Sequence, residues 1–238
     1  MHSVARASQG QYTSDHGKTT PAPPYPAWLV VSAWSPELAT LRRALRSASG
    51  ARVRHRLTVA TIGVGLVEAS VGTTRLLTQL RPQAVIMVGS AGVYPGGPAF
   101  QVGEAVAVDE AVLLAQTLPG RHAYLPSLVP ARARTTPRLT QAISKAAALA
   151  VASVANPLAI TRSPQAAAFA ARRSQCALEN LETFALARAA KRLGVPCAVV
   201  LGIANTVGPA AHRQWRENAA GAASAACRAV LSFLDRQE

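Results

Sequence analysis

Short apolar runs, too continuous to lie half-exposed, alternate along this chain with longer stretches whose apolar residues recur every three or four positions. The first run, AWLVVSA at residues 27–33, reads as a buried strand, and Ser35 with Pro36 supplies the N-cap and first-turn pair of a helix through Ser47. Glu37 falls in that first turn, beyond the carboxyl end of the strand. Residues 53–62 read as a second strand, interrupted by arginines early and apolar later. Gly63 and Gly65 mark a turn, after which Leu66, Ala69, Leu76, Leu77 and Leu80 share one broad helix face that stops before Pro82. Residues 84–88, AVIMV, form a third buried strand. Gly89, Gly92, Gly96 and Gly97 follow at its carboxyl end, where a missing Cβ lets backbone N–H groups approach a ligand, and Ser90 adds a hydroxyl.

Residues 102–114 read as a further buried strand or strand pair, with Glu104, Asp109 and Glu110 near its ends. Residues 115–137 hold four prolines and mixed polarity, the mark of a long surface loop of the kind that forms lids or dimer contacts. An alanine-rich helix is predicted over 138–154 and a short strand over 158–161. Residues 176–193 begin as a short apolar stretch and carry Glu179 and Glu182 into a helix ending at Gly194. A last strand covers 195–203, with Pro196 near its start; the turn ANTVGP follows, then a final helix over 212–234. Strands alternating with helices predict an α/β fold, a central sheet with helices on both faces, as one domain over residues 27–238. Residues 1–26 are polar, rich in Ser, Thr, Gly and Pro, and lack the apolar core of a secretory signal, so a disordered extension is expected there.

Composition narrows the class. Hydrophobic residues make up 50% of the chain and charged residues 15%, yet no apolar run reaches the roughly 18 residues of a membrane span, so a soluble protein with no membrane partner is expected. The formal net charge is +14, from 25 basic and 11 acidic residues. The arginines are spread over the whole length, with no zinc-finger or helix-turn-helix spacing and no aromatic-rich strand for base stacking, which argues against nucleic acid and leaves room for an anionic small substrate. Cys176, Cys197 and Cys227 are odd in number and embedded in apolar runs, as expected of reduced core thiols in the cytoplasm. The five histidines are scattered, and none lies at ligand spacing from a cysteine or another histidine, so no metal site is predicted. Gly63-x-Gly65 lacks the third glycine and the later acid of a dinucleotide fingerprint, and no cofactor is predicted.

Four separated pieces, Glu37 after the first strand, VGSAGVYPG, ENLETFA and GIANTVGPAAHRQW, resemble the nucleoside phosphorylase and nucleosidase superfamily, in the same order from Trp28 to the C-terminus. Within it, futalosine hydrolases are most similar: Gly92 to Gly96 matches a Gly-x-Tyr/Phe-Pro-Gly pattern, Glu179-Asn180-Leu181-Glu182 matches E-N-M-E, and Ile203 to Val207, with Trp215 beyond, matches I-S-N-x-V followed by a tryptophan. The resemblance implies a phosphorylase/hydrolase-like fold with a mixed sheet, a homo-oligomer, and a purine nucleoside as the small-molecule substrate. It implies that Glu37 activates water as general base, that Ser90 stands beside that water, and that Asn205 recognises the base. It further places Gly92, Glu179, Asn180, Leu181 and Glu182 against the substrate, with Glu182 on the ribose hydroxyls and Leu181 packing on the sugar in place of a methionine.

The chemistry agrees with this division. Breaking an N-glycosidic bond develops positive charge on the ribose and negative charge on the base, so carboxylates belong at the sugar and donors at the base. Asparagine at 205 pairs with N7 and O6 of a 6-oxopurine, whereas an aspartic acid protonates N7 of adenine; capping of the following helix is the structural alternative for Asn205. Together with this pairing, the resemblance to futalosine hydrolases implies hydrolysis of futalosine to hypoxanthine, a step of menaquinone biosynthesis. The alternatives are a methylthioadenosine/adenosylhomocysteine nucleosidase or a degenerate nucleoside-binding protein. Two departures bear on these: Leu201 stands where the family usually has an arginine, and Thr183 with Phe184 replaces Gly-Ala behind the ribose.

Overall fold

The computed structural model describes residues 27–47, 56–97, 100–114 and 126–237. Its spine is a parallel pair of ten-residue strands, β3 (Ala84–Val93) and β8 (Cys197–Thr206), registered from Val85 opposite Cys197 to Val93 opposite Thr206. Val85, Ile86, Met87 and Val88 face Cys197 to Val200, and all but Ala198 and Cys197 among these eight are wholly shielded from solvent. Each such aliphatic side chain contributes about 1.5–3 kcal/mol on burial, enough to carry the ladder onward through Gly89, Ser90 and Gly92, which favour strand poorly. Gly89 and Gly92, expected beyond a strand ending at Val88, thus lie in the second half of β3, while Gly96 and Gly97 follow it.

Around this pair β1 (Trp28–Ser32) lies parallel to β3, and β2 (Leu57–Thr61) parallel to β1. On the other side β4 (Ala105–Leu114) runs antiparallel to β8, β5 (Arg132–Arg134) antiparallel to β4, and β6 (Ala150–Pro157) parallel to β4. A two-residue strand, β7 (Leu178–Glu179), joins β6 in parallel and the far end of β3 in antiparallel. The pairings therefore run β3–β8–β4–β6–β7 and return to β3, closing part of a mixed sheet on itself. Helices cover both faces. On one, α2 (Gly65–Leu80) and α5 (Thr183–Leu193) pack over a core holding Leu77, Met87, Leu186 and Leu201. On the other, α1 (Ala39–Arg46), α3 (Pro137–Ala147) and α6 (Ala211–Leu234) pack over Leu38, Ile86, Ile143 and Phe233. The last helix lies almost on the sheet, because a Cβ on Gly202 would stand 2.0 Å from the carbonyl oxygen of Ala222.

Several expectations are corrected. The helix predicted over 138–154 stops at Ala147; Ala148 turns left-handed (φ 52°) and the chain re-enters the sheet as β6. Alanine favours helix, but pairing with β4 from Val106 opposite Ala150 to Leu114 opposite Pro157 overrides that weak preference. The strand expected at 158–161 is accordingly a connecting segment, leading to a helix the apolar pattern did not disclose, α4 (Pro164–Ser174), capped where Ser163 Oγ accepts from the Ala166 N–H. Residues 35–38 form a single 3-10 turn before α1, and Ser35 makes no cap hydrogen bond. Asn205 and Thr206, expected in a turn, are the last residues of β8. Part of the long loop is β5, while residues 115–125 and the extension 1–26 lie outside the described residues.

Candidate functional site

Where the carboxyl ends of β1, β3 and β8 meet the first turn of α5 and the start of α6, the fold leaves a cavity of about 400 Å³. Glu37, Ser90, Gly92, Glu179, Asn180, Leu181, Glu182 and Asn205 all line it. Every site residue predicted from sequence is therefore in one place, although more than 160 residues of chain separate the first from the last.

Glu37 reaches the cavity from the 3-10 turn, held by its own N–H on the Trp34 carbonyl and by the Cys227 thiol donating to its backbone oxygen. Its Oε1 accepts from the Ser90 N–H at 3.1 Å and from Ser90 Oγ at 3.0 Å. Its Oε2 is buried and, among the described residues, has no hydrogen-bond partner. Burial pushes the Glu37 carboxyl up to about 7, the hydrogen bond from Ser90 opposes that rise, and repulsion from Glu182 adds to it. A carboxylate with one free oxygen and such a value is suited to take a proton from a nucleophile near neutral pH. Arginine at 201 would alter this environment, but Leu201 is wholly buried, and its methyl stands 3.4 Å from where a Cβ on Gly89 would be.

Glu182 is held differently. Its Oε1 accepts from the Gly65 N–H at 2.8 Å and its Oε2 from Asn180 Nδ2 at 3.0 Å. Burial raises its pKa also, against these stabilising bonds. Asn180 is the clasp of this corner: Oδ1 accepts from the N–H groups of Glu182 and Thr183 and from Thr183 Oγ1, while Nδ2 also donates to the Ser90 carbonyl at 3.1 Å. One amide thus orients the carboxylate, caps α5 and ties both to β3. The carboxylate of Glu179 is engaged too: Oε1 accepts from the Thr161 N–H, and Oε2 accepts from Thr161 Oγ1 and from the buried Tyr94 hydroxyl at 2.7 Å. Asn205 lies beside Gly92, whose missing Cβ would stand 2.8 Å from Nδ2; that amide donates to the Thr206 carbonyl at 3.1 Å.

Sequence reasoning missed Gly65 as the backbone donor to Glu182, for the Gly63–Gly65 turn carried no sign of its distant partner. It also missed the cavity's apolar wall: Trp34, Val64, Met87 and Ile160. Trp215 stood only as a motif letter; here its ring lies 6.0 Å from Trp34 and 6.2 Å from His212, and its Nε1–H donates to Ser90 Oγ at 3.1 Å. Among the described residues no cluster of three His, Cys, Asp or Glu is placed to hold a metal ion, and no helix is long and apolar enough to cross a membrane. The three cysteines are buried and free.

The sequence profile of the phosphorylase superfamily matches residues 33–235. The chain belongs to that superfamily. Among the superfamily's curated proteins, futalosine hydrolase of Thermus thermophilus is 33% identical over 180 residues, covering 72% of this chain and 78% of its own. A 5'-methylthioadenosine/S-adenosylhomocysteine nucleosidase of Geobacillus thermodenitrificans is 30% identical over 185 residues, covering 72% and 76%. In three dimensions, futalosine hydrolase of Helicobacter pylori superposes with a TM-score of 0.77 over 89% of this chain and 98% of its own at 15% identity, which establishes the shared α/β fold with its mixed sheet.

Proposed function

We propose that this chain hydrolyses the N-glycosidic bond of a 6-oxopurine nucleoside, with futalosine as the substrate and hypoxanthine as the base released. Hydrolysis of a nucleoside is the activity its curated superfamily relatives are named for. The observation that carries the finer reading is an amide rather than a carboxyl at the one polar position of β8 on the cavity, Asn205. With one amide proton spent on the Thr206 carbonyl, the second N–H is available to O6, and Oδ1 accepts from N7 once solvent protonates the departing hypoxanthine there. Glu37 takes the proton of the attacking water on its free Oε2, Ser90 fixes the other oxygen, Glu182 holds the ribose hydroxyls, and Leu181 packs on the sugar. Phosphate is a poor nucleophile here, because Glu37 repels it and Leu201 supplies no cation.

The test is one panel: purified protein with futalosine, inosine, methylthioadenosine and adenosylhomocysteine, with and without phosphate, and the released base identified by chromatography. Hypoxanthine from futalosine, independent of phosphate, is the expected outcome. Faster adenine release would instead favour the second reading, a methylthioadenosine/adenosylhomocysteine nucleosidase, which the Geobacillus relative supports at 30% identity over the same share of the chain. Binding of hypoxanthine with no turnover would favour a degenerate nucleoside-binding protein.

A homo-oligomer belongs to the same proposal. Val64, Val67 and Val71 present 58, 68 and 61% of their surface to solvent along one side of α2, and Val64 also borders the cavity. A second copy of the chain covering that strip is expected, and light scattering of the wild type against Val67→Lys tests it.

A further inference from the structure

Ser90 Oγ sits between an indole N–H and a carboxylate, and these two neighbours are not interchangeable. An indole nitrogen donates only, and an ionised carboxylate accepts only. The Ser90 hydroxyl is therefore polarised in one direction: it accepts from Trp215 Nε1 at 3.1 Å and donates to Glu37 Oε1 at 3.0 Å. We propose that Trp215 is a positioning residue for the proposed hydrolysis, acting through Ser90 to fix the proton that pins Glu37 Oε1 and so to leave Oε2 as the oxygen that receives the proton of water.

The geometry supports this beyond the two distances. The Ser90 N–H also binds Oε1, so two donors of one residue converge on one oxygen while the other stays buried with no hydrogen-bond partner among the described residues. Without the indole, the hydroxyl gains rotational freedom and loses its fixed direction. Trp215 itself packs with the rings of Trp34 and His212, 6.0 and 6.2 Å from its own, and α6 is anchored by its close approach to Gly202. The titratable groups that face this chain of bonds are Glu182 at the head of α5, Cys227 on α6 beneath the Glu37 backbone, and His212 against the indole.

The proposal rests on the hydrolase reading for its kinetic arm only, and a second arm needs no substrate. The chain has three tryptophans, so 15N-tryptophan labelling gives three indole N–H resonances, and Trp215→Phe identifies the third. In the ligand-free protein that resonance is expected to move with pH, to keep doing so in His212→Asn, and to stop in Glu37→Gln and in Ser90→Ala. A resonance indifferent to pH, or one that still titrates in Glu37→Gln, overturns the proposal. In the kinetic arm Trp215→Phe, which keeps the ring, should lower kcat about tenfold on the acidic limb and about twofold or less on the alkaline plateau, with KM unchanged. The same change added to Ser90→Ala should cost little more, because the two act through one bond. Additive losses, or an unmoved pH limb, overturn it. The expected indole titration in a protein that cleaves no nucleoside would refute the hydrolase reading and, with it, the positioning role, leaving only the hydrogen-bonded relay from Trp215 through Ser90 to Glu37.

Discussion

Glu37 and Ser90 lie 53 residues apart, yet one carboxylate oxygen of Glu37 takes both hydrogen bonds that Ser90 can give it. The other oxygen takes none among the described residues. That asymmetry suits Glu37 to the proposed role of general base, and burial pushes its pKa up to about 7. Since the base works when deprotonated, kcat should rise with pH through that value and level off above it. Glu37→Gln should abolish the limb and lower kcat by about 10²–10⁴-fold, as expected for a lost general base. A pH-rate profile flat from pH 5 to 9, or near-normal turnover in Glu37→Gln, would remove Glu37 from the chemistry.

The same burial has a consequence for stability. Glu37 has a folded pKa raised from 4.5 to about 7, so the folded protein holds its proton more tightly than the unfolded chain does. The sign follows: its contribution is fully present below about pH 4.5 and is lost as pH rises through 7. Glu37→Gln should therefore be more stable than the wild type at pH 8, by on the order of 1–3 kcal/mol, and nearly equal to it at pH 5. Chemical denaturation at the two pH values measures this. A variant less stable at pH 8 than at pH 5, relative to wild type, would contradict the assignment.

Gly92 offers a test of the β3–β8 junction. A methyl there would stand 2.7 Å from Val207 Cγ2 and 2.8 Å from Asn205 Nδ2, and the register slips at this point between Ala91 and Gly92. Gly92→Ala must displace one neighbour, and the Asn205 amide is the freer of the two. We expect kcat/KM to fall about 10–100-fold with a stability loss of about 1–3 kcal/mol. Unchanged kinetics in the folded variant would show that the position of Asn205 is not critical.

Much of the fold and the site was legible in the sequence because both depend on local signals. The continuous apolar runs of β3 and β8 announce strands buried on both faces, and the spacing of Glu179 to Glu182 brings the acidic corner to the head of one helix. What escaped depends on partners far away in sequence. Residues 148–157 are alanine-rich and locally favour helix; only their ladder with β4 makes them a strand. The Gly65 N–H has its partner 117 residues away, so nothing local marks it as the support of Glu182. Glu179 and Asn180 were grouped with the substrate contacts, and both line the cavity, but their polar atoms are engaged by Thr161, Tyr94, Ser90 and α5.

Asn205→Asp tests base recognition most directly. Asparagine cannot supply a proton to N7, so it suits a base whose O6 accepts and whose N7, protonated by solvent as the base leaves, donates to Oδ1; a protonated aspartic acid can protonate N7 of adenine but puts an acceptor, or a repelling charge, near O6. Adenosine and inosine share their ribose, so the ratio of their kcat/KM values isolates the base from the 5′ substituent. Wild type should favour inosine, and Asn205→Asp should shift the ratio toward adenosine by about tenfold or more, the scale of one exchanged polar contact. The variant loses the amide donor to the Thr206 carbonyl, a bond worth about 0.5–1.5 kcal/mol, so folding should survive. If the ratio stays fixed while both rates fall together, Asn205 acts on the helix that follows it rather than on the base. If wild type already prefers adenosine, the 6-oxopurine assignment is wrong whatever the variant does.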